Sequence, residues 1–442
     1  MQKCQCICQY IRQNIDLGKA MKALQYFQQQ CIILVIMKNT SEEGKSAYME
    51  YQVGTKQLIK QINQTAILKV IREHEPISRA DIAKILKLTS ATVSSNIAEL
   101  MEKGLVREIG TGESNGGRRP VLLTIDKEKT AIIGVDVHKT SVSCGLVNLA
   151  GVVLQSCAQE FSNPNGHYEL DVLTCIEKVI KKNQNRVILG IGVGMCGIID
   201  LNRCISLFVP ASRTLVNFDL KAYLEENTGF EVHLDNDANA MAVGERWFGA
   251  ARTAKNCLFL NIGQGIGSGI LIDGEIYRGS GFAAGEIGHV RVQENGRKCV
   301  CGKKGCLDTV ATEYSMLNQL REEIEKGRDT LLKTKKDSLD IEGVLEAAES
   351  GDELTISVLS KIGTYIGRAV SYAVNILNPD LVIFGGSMSK LGDFILKPLK
   401  EEAVRLCMYE SGKNTEFVLS ELADDAGVVG AAALYIQEII GY

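Results

Sequence analysis

Hydrophobic residues recur with the period of an α-helix between residues 56 and 104, and this pattern predicts three helices. The third helix begins after Thr89, a residue type that caps helix N-termini well, and Gly104 ends it. Apolar residues spaced at i, i+4, i+7 and i+8 predict its buried face: Val93, Ile97, Leu100 and Met101. The second helix follows the N-cap residue Ser78, and its predicted apolar positions are Ile82, Ile85 and Leu86.

Two short strands are predicted after the helices, at Leu105–Ile109 and Val121–Ile125, around a segment with four glycines. Three helices followed by a glycine-rich hairpin are typical of a winged helix-turn-helix. The pattern leaves one alternative open, a three-helix protein-interaction module.

The third helix carries small and hydroxyl-bearing residues opposite its apolar face. Small side chains let a helix enter a major groove closely, and hydroxyls reach phosphates or base edges. Arg118 and Arg119 lie on the glycine-rich segment, where they are placed to contact a minor groove. The predicted DNA-binding residues are therefore Ala91, Thr92, Ser95, Asn96, Arg118 and Arg119.

From Ala131 the pattern changes to alternating strands and helices. A unit of three strands and a helix recurs after residue 255, which predicts two related halves with a cleft between them. The predicted strands are Ala131–Asp136, Ser141–Asn148, Val152–Gln155, Val187–Val193, Val232–Leu234, Cys257–Ile262, Gly269–Ile272 and Leu381–Phe384.

Composition and charge limit the classes of function. Hydrophobic residues make up 45% and charged residues 23% of the 442 residues, which excludes wholesale disorder. The 49 Lys and Arg against 53 Asp and Glu give a net charge of −4, so no basic field covers the whole molecule. Residues 56–125 nevertheless carry eleven basic and seven acidic residues, a sign that suits a DNA-binding head on an acidic body.

We expect three segments along the chain. Residues 1–52 form a leader rich in Gln and Cys, for which we assign no function and which is either an extension, a disordered segment or a mis-called start. Residues 53–127 form the winged helix-turn-helix and residues 128–442 the α/β body. The longest apolar run near the start, Cys31–Met37, is too short to span a bilayer, so we expect a cytoplasmic protein.

The strongest chemical motif is a histidine followed by three closely spaced cysteines. His289, Cys299, Cys301 and Cys306 lie within eighteen residues and form a Cys₃His set, which suits tetrahedral zinc. Because the protein fills all four positions, the zinc would be structural. The alternative is a chance cluster of buried thiols.

Two further motifs are less specific. Asn236-Asp237-Ala238-Asn239 follows a strand and opens a helix, so the carboxylate of Asp237 could accept a ligand hydroxyl or act as a general base. The alternative is a plain helix N-terminus, since Asn and Asp both cap well. The glycine run Gly263–Gly269 lies between two strands and could face phosphates or simply form a tight hairpin.

Together these motifs resemble the ROK family, which groups sugar-responsive repressors and sugar kinases. The resemblance rests on Gly-Gly-Arg-Arg-Pro at 116–120, the Asn236 motif, the glycine run, Glu286-x-x-His289, the three cysteines and Asn378-Pro379-Asp380. It implies a winged helix-turn-helix followed by a two-lobed actin- and hexokinase-like (ribonuclease H-like) ATPase fold, with a sugar pocket between the lobes. The positions implied to contact sugar hydroxyls are Asn236, Asp237, Glu286, His289 and Asp308, the last standing where the family usually has Glu.

The resemblance also separates repressor from kinase. Kinases of the family carry Asp-x-Gly-Gly-Thr after the first strand, whereas this chain has Asp136-Val137-His138-Lys139-Thr140 and so lacks both glycines. Gln264 also replaces the usual Thr of the second glycine loop. Bulky side chains cannot recreate a nest of backbone N–H groups for phosphate, so we expect no enzyme, and we interpret Asp237 as a sugar contact and a vestigial base.

The sequence therefore predicts a DNA-binding transcriptional repressor of carbohydrate uptake or catabolism genes, regulated by a sugar or sugar derivative. We expect a homo-oligomer, at least a dimer, on a palindromic operator, with structural zinc as the cofactor. Two alternatives remain. One is a ROK-type sugar kinase that phosphorylates a hexose with ATP, and the other is a non-catalytic sugar-sensing or protein-interaction module.

Overall fold

The computed structural model describes residues 56–112, 119–162, 166–208 and 215–440. The predicted leader at residues 1–52 and the predicted DNA contact Arg118 lie outside the described residues. No helix in the described ranges is long and apolar enough to cross a membrane.

The first six elements form a small domain, which we call the head. A three-stranded sheet in the order β1-β3-β2 packs beside three helices. The head elements are α1 (Lys56–His74), β1 (Ile77–Ser78), α2 (Arg79–Leu86), α3 (Ser90–Glu102), β2 (Val106–Thr111) and β3 (Val121–Ile125). This is the predicted helix order with one addition, because β1 pairs with β3 but has only two residues and left no pattern in the sequence.

Capping and periodicity explain why the head helices form where they do. The side chains of Ser78 and Thr89 accept hydrogen bonds from backbone N–H groups in the first turns of α2 and α3. The head core contains fully buried residues from every helix: Ile67, Ile71, Ile82, Val93, Ile97 and Leu100. The prediction for Ile85 was wrong, since 47% of it is exposed. Ile82 is the one buried residue of this short helix, Leu86 is half-buried against the core, and Ile85 lies outside that face.

The next ten elements build the first lobe of the body, whose five-stranded sheet has the order β6-β5-β4-β7-β10. β4 pairs antiparallel with β5 and parallel with β7, and β7 pairs parallel with β10. These elements are β4 (Thr130–Val137), β5 (Ser141–Asn148), β6 (Val153–Glu160), α4 (Tyr168–Lys182), β7 (Val187–Met195), β8 (Ile198–Asp200), β9 (Ile205–Phe208), α5 (Leu220–Thr228), β10 (Val232–Asn236) and α6 (Asp237–Phe248).

The second lobe repeats this topology, with a sheet in the order β13-β12-β11-β14-β15. Each sheet starts as a three-stranded antiparallel meander and continues with two parallel strands, so the prediction of two related halves is confirmed. Its elements are β11 (Cys257–Ile262), β12 (Ile266–Ile272), β13 (Glu275–Ile276), α7 (Asp308–Ala311), α8 (Glu313–Glu325), α9 (Ile341–Glu349), α10 (Glu353–Leu377), β14 (Leu381–Gly385), α11 (Asp393–Leu406), α12 (Tyr409–Asn414), β15 (Glu416–Leu419) and α13 (Ala426–Ile440).

Helix α13 packs against the first-lobe sheet and against α6, and α6 contacts strands of both sheets. The backbones of the two helices approach closely at two glycines. A Cβ atom on Gly430 would lie 2.5 Å from the carbonyl oxygen of Ala240, and one on Gly244 would lie 2.8 Å from the Cα of Gly430. Only glycine fits at such a crossing, so any side chain there would separate the two helices.

Candidate functional site

The two lobes meet where β4 and β10 end and α6 begins, and the predicted cleft corresponds to this junction. Asn236 is the N-cap of α6: its Oδ1 accepts from the N–H groups of Ala238 and Asn239, and its Nδ2 donates to the carbonyl of Gly197 at 2.9 Å. The structure therefore gives Asn236 the capping role that the sequence left open as an alternative, with one amide hydrogen left for a ligand.

Asp237 is the first residue of α6 and faces the second lobe. Asn261 Nδ2 donates to Asp237 Oδ2 at 3.1 Å. Burial raises the pKa of Asp237, while backbone N–H groups at the helix start and the nearby charges of His138 and Lys139 act in the opposite direction. Sequence reasoning missed Asn261, although a polar residue near the end of the apolar strand Cys257–Ile262 was a signal for it.

Glu286 and Asp308 approach Asp237 from the second lobe. Burial raises the pKa of Glu286, the charge of His289 opposes this, and the carboxylates of Asp237 and Asp308 raise it further. Asp308 Oδ1 accepts from the backbone N–H of Ile266 at 3.0 Å, which ties α7 to the start of β12. The carboxylates of Asp237, Glu286 and Asp308 are close enough to interact electrostatically. Together they offer many hydrogen-bond acceptors, which suits a ligand that donates several hydroxyl hydrogens.

The four predicted zinc ligands come together. His289 Nδ1 lies 3.6 Å from Cys299 Sγ, Cys301 Sγ lies 3.6 Å from Cys306 Sγ, and the four ligand atoms all lie within 4.8 Å of one another. Tetrahedral zinc with Zn–S of ~2.3 Å and Zn–N of ~2.05 Å requires ligand separations of ~3.8 Å between sulfurs and ~3.6 Å between sulfur and nitrogen. The two pairs at 3.6 Å match this geometry, and the donor set of one imidazole and three thiols fits a zinc ion.

Local backbone geometry explains how the cysteines converge. Gly302 and Gly305 have φ angles of 87° and 76°, in the left-handed region that favours glycine. The N–H of Gly302 donates to the carbonyl of Cys299 and closes a turn. Isolated antiparallel β-bridges pair Arg291 with Cys306 and Lys298 with Lys304. Because burial raises the pKa of Cys306, a cation is needed to hold its thiolate there at neutral pH.

The cluster of His289 and the three cysteines also lies beside Glu286. The Nε2 atom of His289 lies 3.9 Å from Glu286 Oε2, on the side of the ring opposite the thiols. A ligand bond at Nδ1 would fix the ring and orient Nε2 toward the Glu286 carboxylate. Cys306 precedes Asp308 by two residues, and His289 follows Glu286 by three. The positions of Glu286 and Asp308 therefore depend on the fold of this loop.

The glycine run forms the tight hairpin that the sequence left open as an alternative, because β11 and β12 pair antiparallel up to Ile262 and Ile266. β12 already begins at Ile266, so the turn is only Gly263-Gln264-Gly265. Gly269 lies inside the strand, where a Cβ atom would be 2.5 Å from the carbonyl oxygen of Ala238, so this glycine permits close packing of α6. Lys139 Nζ donates to the carbonyl of Gln264 at 2.9 Å and thereby bridges the first strand-turn of one lobe to the glycine turn of the other.

The outward face of α3 is mostly as predicted. Ala91, Ser95 and Ala98 are exposed, and Thr92 is half-buried with its hydroxyl 2.8 Å from that of Thr89. Arg119, at the described end of the wing, is exposed as well.

The prediction of a surface position for Asn96 was wrong. Asn96 is only 5% exposed, and its Nδ2 donates to the carbonyl of Thr92 at 2.8 Å. It lies three residues after Val93 and four before Leu100, which places it on the buried side of the helix. Ser94 is exposed instead, and the i, i+3, i+4, i+7 spacing of positions 91, 94, 95 and 98 was the signal that could have identified it.

Comparisons with known proteins agree with this architecture. A model of the ROK family matches residues 132–438, and a model described as winged helix-turn-helix DNA-binding matches residues 61–107. The chain belongs to the ROK family. The predicted fold class, a winged helix-turn-helix followed by a two-lobed ROK body, is thereby confirmed.

Repressors and kinases of the ROK family both resemble the chain. A protein named putative xylose repressor, from Caldicellulosiruptor sp. (strain Rt8B.4), is 34% identical over 401 residues, which cover 88% of this chain and 99% of that protein. A glucokinase of Thermotoga maritima is 34% identical over 316 residues, covering 71% of this chain and 99% of the kinase. A solved ROK transcriptional regulator, described as a homolog of the E. coli MLC protein, superimposes with a TM-score of 0.76 at 27% identity, over 87% of this chain and 97% of that one.

Proposed function

We propose that the chain is a sugar-responsive DNA-binding repressor that controls genes of carbohydrate uptake or catabolism. The observation that carries the proposal is the extent of its similarity. The match to the xylose repressor spans 88% of the chain, whereas the whole length of the glucokinase accounts for 71%, about the length of the body. The repressor match includes the head as well as the body. In this proposal the head binds DNA and the body binds the sugar.

Within this proposal, residues 53–127 are the DNA-binding unit and residues 128–442 the effector unit. Two copies bind the two half-sites of a palindromic operator, with α3 of each copy in a major groove. The exposed row on α3 is free of long side chains, which favours close approach to base edges. The residues proposed to contact DNA are Ala91, Thr92, Ser94, Ser95, Arg118 and Arg119.

The effector is a monosaccharide or a derivative of one, bound in the cleft. Its hydroxyls donate to carboxylates on both lobes, so the ligand holds the lobes together. D-xylose is the first candidate because several relatives are named xylose repressors. The residues proposed to contact the sugar are Asn236, Asp237, Glu286, His289 and Asp308.

Zinc holds the second-lobe side of this pocket. Bound to His289, Cys299, Cys301 and Cys306, it fills all its positions with protein atoms and supplies no catalytic water. Its role is to fix the loop from which Glu286 and Asp308 extend.

The cleft of this chain does not favour phosphoryl transfer. The ammonium of Lys139 hydrogen-bonds to the carbonyl of Gln264, at the side of the cleft where kinases of the family hold the nucleotide phosphates. Val137 and His138 complete the strand-turn that lacks glycine. The kinase alternative rests on the retained Asp237 and on the resemblance to the glucokinase. It predicts ATP consumption that Asp237→Asn abolishes.

A single purified sample tests the proposal. DNA from upstream of its own gene and of the neighbouring genes is titrated by fluorescence anisotropy, with and without D-xylose, D-glucose or N-acetylglucosamine, and ATP consumption is measured with the same sugars. We expect one sugar to change the operator affinity by ~5–150-fold, and no turnover of ATP.

The matched pair of variants is Asp237→Asn and Asp273→Asn. Both remove one carboxylate, but Asp273 lies in the exposed β12–β13 turn, away from the glycine turn at the other end of β12. We expect only Asp237→Asn to shift the response to ~10–100-fold higher sugar concentrations. Sugar-dependent ATP turnover at ordinary enzymatic rates, or a failure to bind any of these DNA fragments, would refute the proposal.

A further inference from the structure

Two helices lead from the region of Asp237 to the head, and the N-terminal end of each lies at an acidic side chain. α6 starts with Asp237 itself. The second residue of α13, Gly427, packs directly on the carboxylate of Asp136 at the end of β4, with no room there for a Cβ atom. Any movement of the cleft walls around a ligand therefore acts on the N-terminal ends of both helices.

The C-terminal ends of the same helices contact α1 of the head. The guanidinium of Arg72 on α1 lies over the ring of Trp247 on α6, 3.8 Å from the ring centroid. Two turns earlier in α1, the hydroxyl of Thr65 donates to the carbonyl of Ile439 on α13 at 3.4 Å. Because α6 and α13 cross without side chains between them at Gly244 and Gly430, they move together.

A neighbouring face of α1 contacts the helix proposed to enter the DNA groove. Glu99 of α3 is paired with Lys60 at 2.5 Å and accepts from Gln64 Nε2 at 3.0 Å, and both partners lie on α1. Lys103, the residue that follows α3, donates to the Gln64 side chain at 3.1 Å. α1 therefore contacts both α3 and the helices α6 and α13.

The junction between α1 and α6 is incompletely satisfied. Among the described residues, no hydrogen-bond acceptor meets three of its buried N–H groups, on Arg72 Nη1, Arg246 Nε and Trp247 Nε1. Burial and the neighbouring positive charge of Arg246 lower the pKa of Arg72. Such a contact is weaker than a fully paired one, so a small displacement of α6 is enough to alter it.

We propose that α6 and α13 act as one rigid connection that carries closure of the cleft to α1, and that the Arg72–Trp247 contact is the junction through which the sugar changes the position of α3. This inference rests on the proposed function and specifies its regulation. Arg72 and Trp247 are positioning residues, since neither touches the sugar site or the DNA-facing row.

Trp247 provides a direct readout because it is the only tryptophan of the chain. Sugar is titrated into the full-length protein while tryptophan emission is recorded, and sugar affinity is measured independently by calorimetry. We expect the emission to change along the same binding curve, and operator DNA to change it as well. Sugar binding by calorimetry with constant emission would overturn the inference.

Variants test whether the junction carries the coupling. For each protein the operator affinity is measured with and without the sugar that the wild type binds, and the ratio is compared. We expect Arg72→Met to retain sugar affinity within about 2-fold but to reduce the ratio from ~5–150-fold to below about 2-fold. Arg72→Lys, which keeps a cation over the ring, should restore part of the ratio.

Arg252→Met is the matched control, because Arg252 follows α6 but pairs with Glu421 on the surface of the body. It should leave the ratio unchanged. If Arg72→Met fails to fold by circular dichroism, Trp247→Phe replaces it, with the same expected loss. A wild-type ratio in the folded variants would overturn the inference while leaving the repressor intact. A wild type that binds no tested sugar or no DNA overturns the proposed function, and this inference with it.

Discussion

Asp136 is a buried carboxyl group whose ionisation the fold disfavours. It is 4% exposed, and its Oδ1 has no hydrogen-bond partner among the described residues. Burial raises its pKa from 3.8 to about 6, although the charge of His138, whose Nε2 lies 3.3 Å from Oδ2, acts in the opposite direction. We predict that Asp136→Asn stabilises the protein, and that the gain is larger at higher pH.

The magnitude follows from the two pKa values. A folded pKa near 6 against an ordinary value of 3.8 corresponds to roughly 3 kcal/mol of lost stability when the group is fully ionised. Because the folded state binds the proton more tightly, stability rises as the pH falls through about 6 toward 4. At about pH 7.5 the full roughly 3 kcal/mol is lost, and at about pH 5 roughly half of it. Asparagine has no such pH dependence.

Calorimetric melting of the two proteins at about pH 5 and about pH 7.5 measures the effect. The advantage of the variant should be ~1–1.5 kcal/mol larger at the higher pH, which is ~1.5–2 °C in Tm for a body of this size. His138→Gln is the companion variant. It removes the charge that opposes the shift, so the pH dependence should become steeper. A difference in Tm between Asp136→Asn and wild type that is the same at both pH values would refute the reasoning.

Three further predictions concern the zinc cluster, the cleft and the wing. Cys306→Ser should lose more than ~10-fold in zinc affinity and melt at a lower temperature. Cys407→Ser, outside the cluster, should retain one zinc per chain by mass spectrometry. Equal zinc content in the two variants would contradict the site. Asp237→Asn should weaken sugar binding ~10–100-fold by calorimetry, since it removes a charged acceptor, and unchanged affinity would place the sugar elsewhere. Arg119→Ala should reduce the slope of log affinity for the operator against log salt concentration by ~1, whereas Arg405→Ala on the body should not. Equal slopes would show that Arg119 does not contact the DNA.

The parts of the molecule that the sequence predicts well are those that local residues determine. Helix α3 has its N-cap at Thr89 and its apolar residues at helical spacing, so its position needed no knowledge of the remaining chain. The same holds for the cluster of one histidine and three cysteines, whose members lie within eighteen residues. The repeat of strand order in the two lobes was visible because buried strands in both halves are continuous apolar runs.

Contacts between distant segments explain what the sequence could not predict. The polar side chain of Asn96 suggested a surface position. Its place on the helix face that contains Val93 and Leu100 buries it. Asn261 meets Asp237 only because β11 and α6 come from different lobes that close on each other. The Arg72–Trp247 contact joins residues 175 positions apart, and no local pattern marks such a pair.

The attachment of the head argues for transmission by tilt rather than by ordering of a linker. β3 ends at Ile125 and β4 begins at Thr130, and the turn between them is hydrogen-bonded through Asp126. One hydrophobic core runs from the head into α6 and α13, so the head cannot swing freely. α1 has 19 residues and is therefore about 28 Å long. A tilt of about 10° at its Arg72 end would move its far end by about 5 Å, enough to change the spacing of two recognition helices on successive half-sites.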